Sequence, residues 1–138
     1  WAVGGDAGAG PEVLHFDGTS WERKDTGHTG DLWWVFGFAG GPVYLSGAGG
    51  TILRYQDGAF TPMTTPRSDV IVWGVWGISP SDVWAVGGAL GGSSGAFAWK
   101  LQGDAWAQFR AGQFEPALRL TQSARTFAHR AIRLSSGR

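Results

Sequence analysis

The segment VWGVWGISPSDVWAVGG, from Val72 to Gly88, decides the fold prediction for this chain. Most of its residues are β-branched or aromatic, and glycine recurs too often for a helix interior. The segment WWVFGFAGGPVYLSG, from Trp33 to Gly47, matches it without a gap at an offset of 40 residues. The aligned pairs are Trp33 and Trp73, Val35 and Val75, Phe36 and Trp76, Gly37 and Gly77, Val43 and Val83, and Tyr44 and Trp84. The chain therefore contains an internal repeat of predicted β-strands.

Further copies extend the repeat toward both ends. WAVGG opens the chain at Trp1, and VLHFDGTSW (Val13 to Trp21) is echoed by ILRYQDGAF (Ile52 to Phe60) and AWKLQGDAW (Ala98 to Trp106). A period of about 40 residues with several short strands is the length of one four-stranded propeller blade. We therefore predict an all-β fold, a partial β-propeller of about 2.5 antiparallel blades. The predicted repeat units are 1–42, 43–82 and an incomplete 83–109.

The strands of one blade can be predicted from the best-preserved copy. They are Val83 to Gly87, Ala96 to Leu101 and a strand that starts near Trp106. By analogy with the previous copy, the fourth is a strand like Ile71 to Trp76. Because nearly every position of VWAVG and VWGVWG is apolar, we expect these strands to be buried on both faces. The turns Ser79 to Asp82 and Gly40 to Pro42 occupy equivalent places and are predicted to connect one blade to the next.

Two Asp-Gly pairs predict tight hairpins. Asp17-Gly18 and Asp57-Gly58 each lie between apolar residues, and type I′ turns favour this dipeptide because both central residues have positive φ. The two aspartates can also be interpreted as half of a glycosidase carboxylate pair. Their place in repeated turns favours a structural role, in which the carboxylate accepts backbone N–H groups.

Composition and charge exclude several classes of protein and divide the chain. The 138 residues include 24 glycines, nine tryptophans and no cysteine, so a disulfide framework and a cysteine-ligated zinc site are excluded. The net charge of +0 gives no indication of nucleic-acid binding, and no apolar run is long enough to span a membrane. Residues 1–109 carry ten acidic and five basic groups, whereas residues 110–138 carry one acidic and six basic groups. For this basic tail two interpretations stay open, an amphipathic helix or an end that is not native to the repeat.

The motifs DVWAVGG, GTILRY, DGTSW and VWGVWG resemble the repeats of bacterial propeller proteins of the Asp-box, or bacterial neuraminidase, group. The resemblance covers residues 1–109, although DGTSW lacks one residue between Asp and Gly relative to an Asp box. Kelch repeats are similar in placing a Gly-Gly pair after an apolar strand, as Gly87-Gly88 does here. The resemblance implies an exported bacterial protein with an extracellular, cell-surface or periplasmic location.

Candidate residues fall into a structural and a binding group. Because aromatic residues that recur at the repeat period usually have the same role in every blade, we predict a core role for Trp33, Phe36, Tyr44, Trp73, Trp76 and Trp84. Trp34 has no aromatic equivalent, since Gly74 stands at that place in the next copy, and it is therefore predicted to be exposed. The candidate ligand-binding residues are Trp34, Arg54 and Trp99.

The predicted function is non-catalytic binding or scaffolding within a larger protein, with no cofactor and no metal. A sialidase-like enzyme, the first alternative, needs an arginine cluster and a Tyr/Glu nucleophile pair. Before residue 110 only Arg23, Arg54 and Arg67 are present, so no catalytic residue is assigned. An oligomeric lectin is the second alternative. Partners are expected to be a protein or glycan ligand, and either further blades of the same protein or other copies of this chain, because two to three blades leave apolar faces open.

Overall fold

The computed structural model describes residues 1–89 and 95–109. All described residues but Phe109 belong to one compact unit, Trp1–Gln108, and the predictions for the basic tail at 110–138 lie outside the described residues. Within the described ranges the fold is all-β apart from one short 3-10 turn. These ranges contain no helix with the length and apolar character needed to cross a membrane.

Eleven strands form three antiparallel sheets in the part of the chain that the structure describes. Sheet A contains β1 (Ala2–Asp6), β2 (Pro11–Phe16) and β3 (Trp21–Arg23). Sheet B contains β4 (Leu32–Gly37), β5 (Val43–Gly47), β6 (Ile52–Gln56) and β7 (Ala59–Pro62), with a 3-10 turn at Ala48–Gly50. Sheet C contains β8 (Ile71–Ser79), β9 (Asp82–Gly88), β10 (Phe97–Gln102) and β11 (Ala105–Phe109). In each sheet, strands that follow one another in the chain pair side by side.

Three predicted strands of the best-preserved copy correspond to β9, β10 and β11 of sheet C, and their starts agree to within one residue. Ile71 to Trp76, which the prediction placed in the preceding unit 43–82, is part of β8 and belongs to sheet C instead. The prediction for the turns is wrong. Gly40 to Pro42 lies between β4 and β5, and Ser79 to Asp82 joins β8 to β9, so both turns connect strands of one sheet. Residues 24–31 and 63–70 make the connections between sheets. A repeat alignment gives the period of the structure but not the strand with which each sheet begins.

The two Asp-Gly pairs form different turns. Asp57 and Gly58 have φ of 53° and 85°, as a type I′ turn requires, and they alone join β6 to β7. At the other pair only Gly18 has a positive φ, 104°, and the loop from β2 to β3 is longer. There the Asp17 carboxylate accepts hydrogen bonds from the backbone N–H groups of Thr19 and Ser20 at 2.7 and 2.8 Å, so the type I′ prediction is wrong at this loop.

Sheet B lies between the other two sheets and is covered on both sides. All five residues of β5 are buried, as is typical of a strand between two packed layers. One apolar cluster joins sheet A to sheet B through Val13, Leu32, Val43, Leu45 and Leu53. A larger cluster joins sheet B to sheet C through Tyr44, Ile52, Val70, Val72, Val75, Val83, Ala85, Phe97, Trp99, Leu101 and Trp106.

Sheet C is buried on one face only. Along β9 buried residues alternate with more exposed ones, and Trp76 and Val86 on the other face are 59% and 52% exposed. The prediction that VWAVG and VWGVWG are buried on both faces is therefore wrong for β8 and β9. Their outer face has no covering sheet among the described residues.

Candidate functional site

Two equivalent β-bulges hold a pair of exposed tryptophans. In sheet B the register moves from Leu32 opposite Gly47 to Trp34 opposite Ser46, which makes Trp33 the extra residue. In sheet C the register shifts in the same way between Val72 and Gly74, so Trp73 is the extra residue there. A bulge changes the direction of a side chain relative to the regular ladder.

The bulged tryptophans contact each other across the two sheets. The ring centroids of Trp33 and Trp73 are 5.9 Å apart with an interplanar angle of 56°. The two residues are 51% and 40% exposed. The predicted core role is therefore wrong for both, because the bulge removes each indole from the buried faces of the sheets. Their recurrence at the repeat period reflects a repeated bulge instead.

Trp34 joins this surface and is fixed by a specific contact. Its indole N–H donates a hydrogen bond of 2.9 Å to the carbonyl oxygen of Val75, in the first strand of the next sheet. The ring also lies over Gly74, where an added Cβ would be 3.9 Å from it. Trp34 is 46% exposed, as the sequence predicts. Gly74 stands at the position of the next repeat that is equivalent to Trp34, and because it has no side chain it leaves space for the Trp34 ring. We call Trp33, Trp34 and Trp73 the tryptophan surface.

The other predicted core aromatics have different environments. Tyr44 is 2% exposed and packs edge-on against Trp106 at 6.2 Å, and burial raises the pKa of its hydroxyl. Phe36 and Trp84 are partly buried. For Trp76, which is 59% exposed, the predicted core role is wrong because no sheet in the described residues covers that side of sheet C.

The two remaining candidate ligand residues lie away from the tryptophan surface. Trp99 is fully buried and stacks on Phe97 with 4.1 Å between ring centroids, so the prediction that it binds ligand is wrong. Buried residues alternate with less buried ones along β10, and Trp99 is one of the buried residues. The Arg54 guanidinium donates a 2.6 Å hydrogen bond to the Asp104 carboxylate in the turn from β10 to β11, which makes it a link between sheets B and C.

A glycine-rich loop between β1 and β2 forms a second ordered polar feature. The Asp6 carboxylate accepts backbone N–H groups from Gly8, Gly10 and Gly30 at 2.7, 3.0 and 2.8 Å. These hydrogen bonds, that of Gly30 first, hold the pKa of Asp6 below its ordinary value. The signal in the sequence is one aspartate among many glycines, because only glycine adopts the positive φ of Gly8, Gly10 and Gly30 without strain.

A small polar cleft lies beside this loop. It has a volume of about 180 Å³ and is lined in part by His28, Thr51 and Met63. The His28 Nε2 and the Thr51 hydroxyl are 3.2 Å apart, and partial burial lowers the pKa of His28. Among the described residues, no other side chain forms a hydrogen bond with the His28 ring. The pair therefore lacks the third group of a nucleophile–base–carboxylate triad.

The arginines of the described ranges are engaged in separate ion pairs. Arg23 pairs with Glu12 in sheet A, and Arg67 pairs with Asp69 in the connection to sheet C. With Arg54 bound to Asp104, the three cations do not converge on one substrate carboxylate. No group of three metal-ligating side chains is arranged to hold an ion within residues 1–89 and 95–109.

Comparison with known proteins does not show which family this chain belongs to. No protein-family model matches the chain, no curated protein is similar to it, and no solved structure matches its fold.

Proposed function

We propose that this chain is a non-catalytic binding module whose three sheets are successive blades of a β-propeller within a larger protein. Three observations support the blades: the repeat of about 40 residues, the consecutive antiparallel strand order, and the face-to-face packing of successive sheets. The first strands of sheets B and C, β4 and β8, also lie side by side, whereas β1 is the repeat equivalent of β5 and β9. An exported bacterial protein is part of the proposal and rests on the resemblance of the repeats alone.

The observation that carries binding is the exposed pair Trp33 and Trp73. An indole in water exposes a large apolar area, and two such rings at 5.9 Å form a patch of the kind that marks interaction sites. Two equivalent bulges hold the pair, and the hydrogen bond of Trp34 to Val75 ties the strands together. The surface is therefore preorganised before a ligand arrives.

A glycan is the ligand class that fits this surface best. The apolar face of a pyranose ring is flat and matches an indole face, and two tilted indoles can contact neighbouring rings of an oligosaccharide. The sialidase alternative gains no support, since Arg23, Arg54 and Arg67 are held in separate ion pairs. A glycan-binding module fits both the predicted non-catalytic binding function and the lectin alternative.

The test is a titration of the full chain with chitotetraose, cellotetraose and sialyllactose, followed by tryptophan fluorescence and by calorimetry. We expect saturable binding of at least one saccharide. Trp33→Ala and Trp73→Ala should each weaken it by about tenfold, which corresponds to about 1.4 kcal/mol. Trp33→Phe, which keeps a flat ring, should retain part of the affinity, and Thr61→Ala on the exposed strand β7 should change nothing.

Two results would count against the proposal. Absence of saturable binding for all three saccharides would remove the glycan as ligand class. Binding that survives the double substitution Trp33→Ala/Trp73→Ala would place the site elsewhere on the protein.

A further inference from the structure

The polar cleft beside the glycine-rich loop is formed by three segments that are distant in sequence. His28 comes from the connection between sheets A and B, and Thr51 lies between the 3-10 turn and β6. Pro62, Met63 and Thr65 come from the end of β7 and from the connection that follows it. We call this feature the histidine cleft. It shares no lining residue with the tryptophan surface.

The backbone fixes the walls of the histidine cleft. The Met63 N–H donates a 2.9 Å hydrogen bond to the carbonyl oxygen of Ile52, and the Gly50 N–H donates one of 2.7 Å to that of Val70. Gly50 has a φ of 65°, and the Arg67 carbonyl oxygen leaves no room for a Cβ there, so the turn requires glycine. The cleft is therefore formed before a ligand binds, as is usual for small-molecule sites.

The polar groups of the cleft suit a ligand hydroxyl. The His28 Nε2 and the Thr51 hydroxyl oxygen are 3.2 Å apart, so one of them donates to the other. A hydroxyl has one donor and two acceptor lone pairs. If the ring donates, the Thr51 O–H is free to donate to a ligand, and if Thr51 donates, its lone pairs are free to accept. A ligand hydroxyl can match either arrangement, because it both donates and accepts.

The cleft has no charged side chain in its lining among the residues that the structure describes. Partial burial lowers the pKa of His28 in spite of the opposing effect of Asp6, so the ring is uncharged at neutral pH. The Asp6 carboxylate itself is occupied by the backbone N–H groups of the glycine-rich loop. A charged ligand would lose hydration here without gaining an ionic partner. The lining therefore favours an uncharged ligand.

The volume of the cleft sets the size of the ligand. The cleft measures about 180 Å³, and an apolar cavity of about 150 Å³ holds one benzene ring. One six-membered ring therefore fits. Pro62 and Met63 supply apolar atoms for the C–H face of such a ring, whereas His28 and Thr51 face its hydroxyl groups. A ring with both kinds of surface and no charge is a cyclic polyol.

We propose that the histidine cleft binds one uncharged cyclic polyol of the size of a monosaccharide, with the His28–Thr51 pair bound to a ligand hydroxyl. This site goes beyond the proposed function, because the tryptophan surface contributes no residue to it. The two sites can therefore be tested separately.

The test is a titration of the full chain with the methyl α-pyranosides of glucose, galactose and mannose, followed by NMR of the His28 ring. The spectrum of His28→Gln identifies that ring among the three histidines. We expect a saturable shift of the His28 signals with at least one of these glycosides. The matching uronide, which carries a carboxylate in place of the CH₂OH group, should bind about tenfold more weakly.

Substitutions of Thr51 test the hydroxyl contact. Thr51→Val keeps the shape of the side chain and should weaken binding about fivefold, the effect of one lost hydrogen bond. Thr51→Ser keeps the hydroxyl and should bind like the wild type. Thr61→Val on β7 is the matched control, since Thr61 does not line the cleft. If circular dichroism shows that Thr51→Val does not fold, His28→Phe removes the other polar group, and calorimetry measures its binding.

Four outcomes would overturn the proposal. They are His28 signals that do not shift with any of the glycosides, uronides that bind as tightly as the glycosides, and a Thr51→Val variant, or His28→Phe in its place, that binds as well as Thr61→Val. The fourth concerns Trp33→Ala/Trp73→Ala, which should keep the His28 response. Loss of the response in that double variant would assign the sugar to the tryptophan surface. A retained response establishes the histidine cleft even if the tryptophan surface binds no glycan.

Discussion

The indole N–H of Trp34 donates a 2.9 Å hydrogen bond to the carbonyl oxygen of Val75, so a side chain of one sheet is fixed to the backbone of the next. The two residues belong to β4 and β8, which are the first strands of sheets B and C. This bond lies directly beside the exposed pair Trp33 and Trp73. The distance between the two bulges therefore depends on packing between sheets and on this single polar contact.

Trp34→Phe should reduce the free energy of unfolding by about 0.5–1.5 kcal/mol, because the substitution keeps a flat ring and removes the donor. Urea denaturation followed by far-ultraviolet circular dichroism measures the change without using tryptophan fluorescence. Trp33→Phe is the control, since that indole is 51% exposed. Equal losses for the two variants would show that the hydrogen bond does not stabilise the fold.

Trp99→Ala should cost about 3–5 kcal/mol, the range for truncating a fully buried aromatic side chain. Trp99→Phe should cost much less, because the buried indole N–H has no hydrogen-bond partner among the described residues and its removal leaves no donor unsatisfied. The same denaturation experiment measures both variants. A loss for Trp99→Phe as large as that for Trp99→Ala would mean that the indole shape, rather than apolar volume, is required.

The sequence predicts the strands and the period well, because both depend on local patterns. Alternation of apolar residues and the Asp57-Gly58 pair are properties of a few neighbouring residues, and the structure places strands and a hairpin there. Local patterns do not predict which tryptophans are buried, because burial depends on whether another sheet covers the face of the strand on which the side chain lies. Trp76 is 59% exposed, whereas its repeat equivalent Phe36 packs against the cluster between sheets B and C.

The tryptophan surface was only partly predictable for a related reason. The mismatch of Trp34 with Gly74 is visible in the repeat alignment and predicts an exposed indole. The bulges at Trp33 and Trp73 leave no gap in that alignment, because both copies contain the same extra residue. A comparison of repeats cannot detect a feature that every copy shares. Pairing between strands, which the structure supplies, is needed to find it.

Gly58→Ala should destabilise the protein by about 1 kcal/mol, because φ at this position is 85° and an alanine there is strained. Gly88→Ala is the matched control, since that glycine has no positive φ and an added Cβ meets its nearest atom at 3.8 Å. Thermal unfolding of both variants measures the difference. A Gly88→Ala variant that is less stable than Gly58→Ala would contradict the assignment of strain to the turn.

Asp6→Asn should lower the melting temperature at neutral pH and do so less in acid. Backbone N–H groups, that of Gly30 foremost, lower the pKa of Asp6 in the folded protein below its ordinary value of 3.8. A depressed carboxyl pKa stabilises the fold above the unfolded-state pKa, and this contribution is lost as the pH falls through the folded-state pKa. The gap between wild type and variant should therefore be full near pH 6 and shrink below about pH 4. Melting curves recorded across this range provide the measurement. A gap that stays constant, or widens in acid, would show that the charge of Asp6 does not hold the glycine loop.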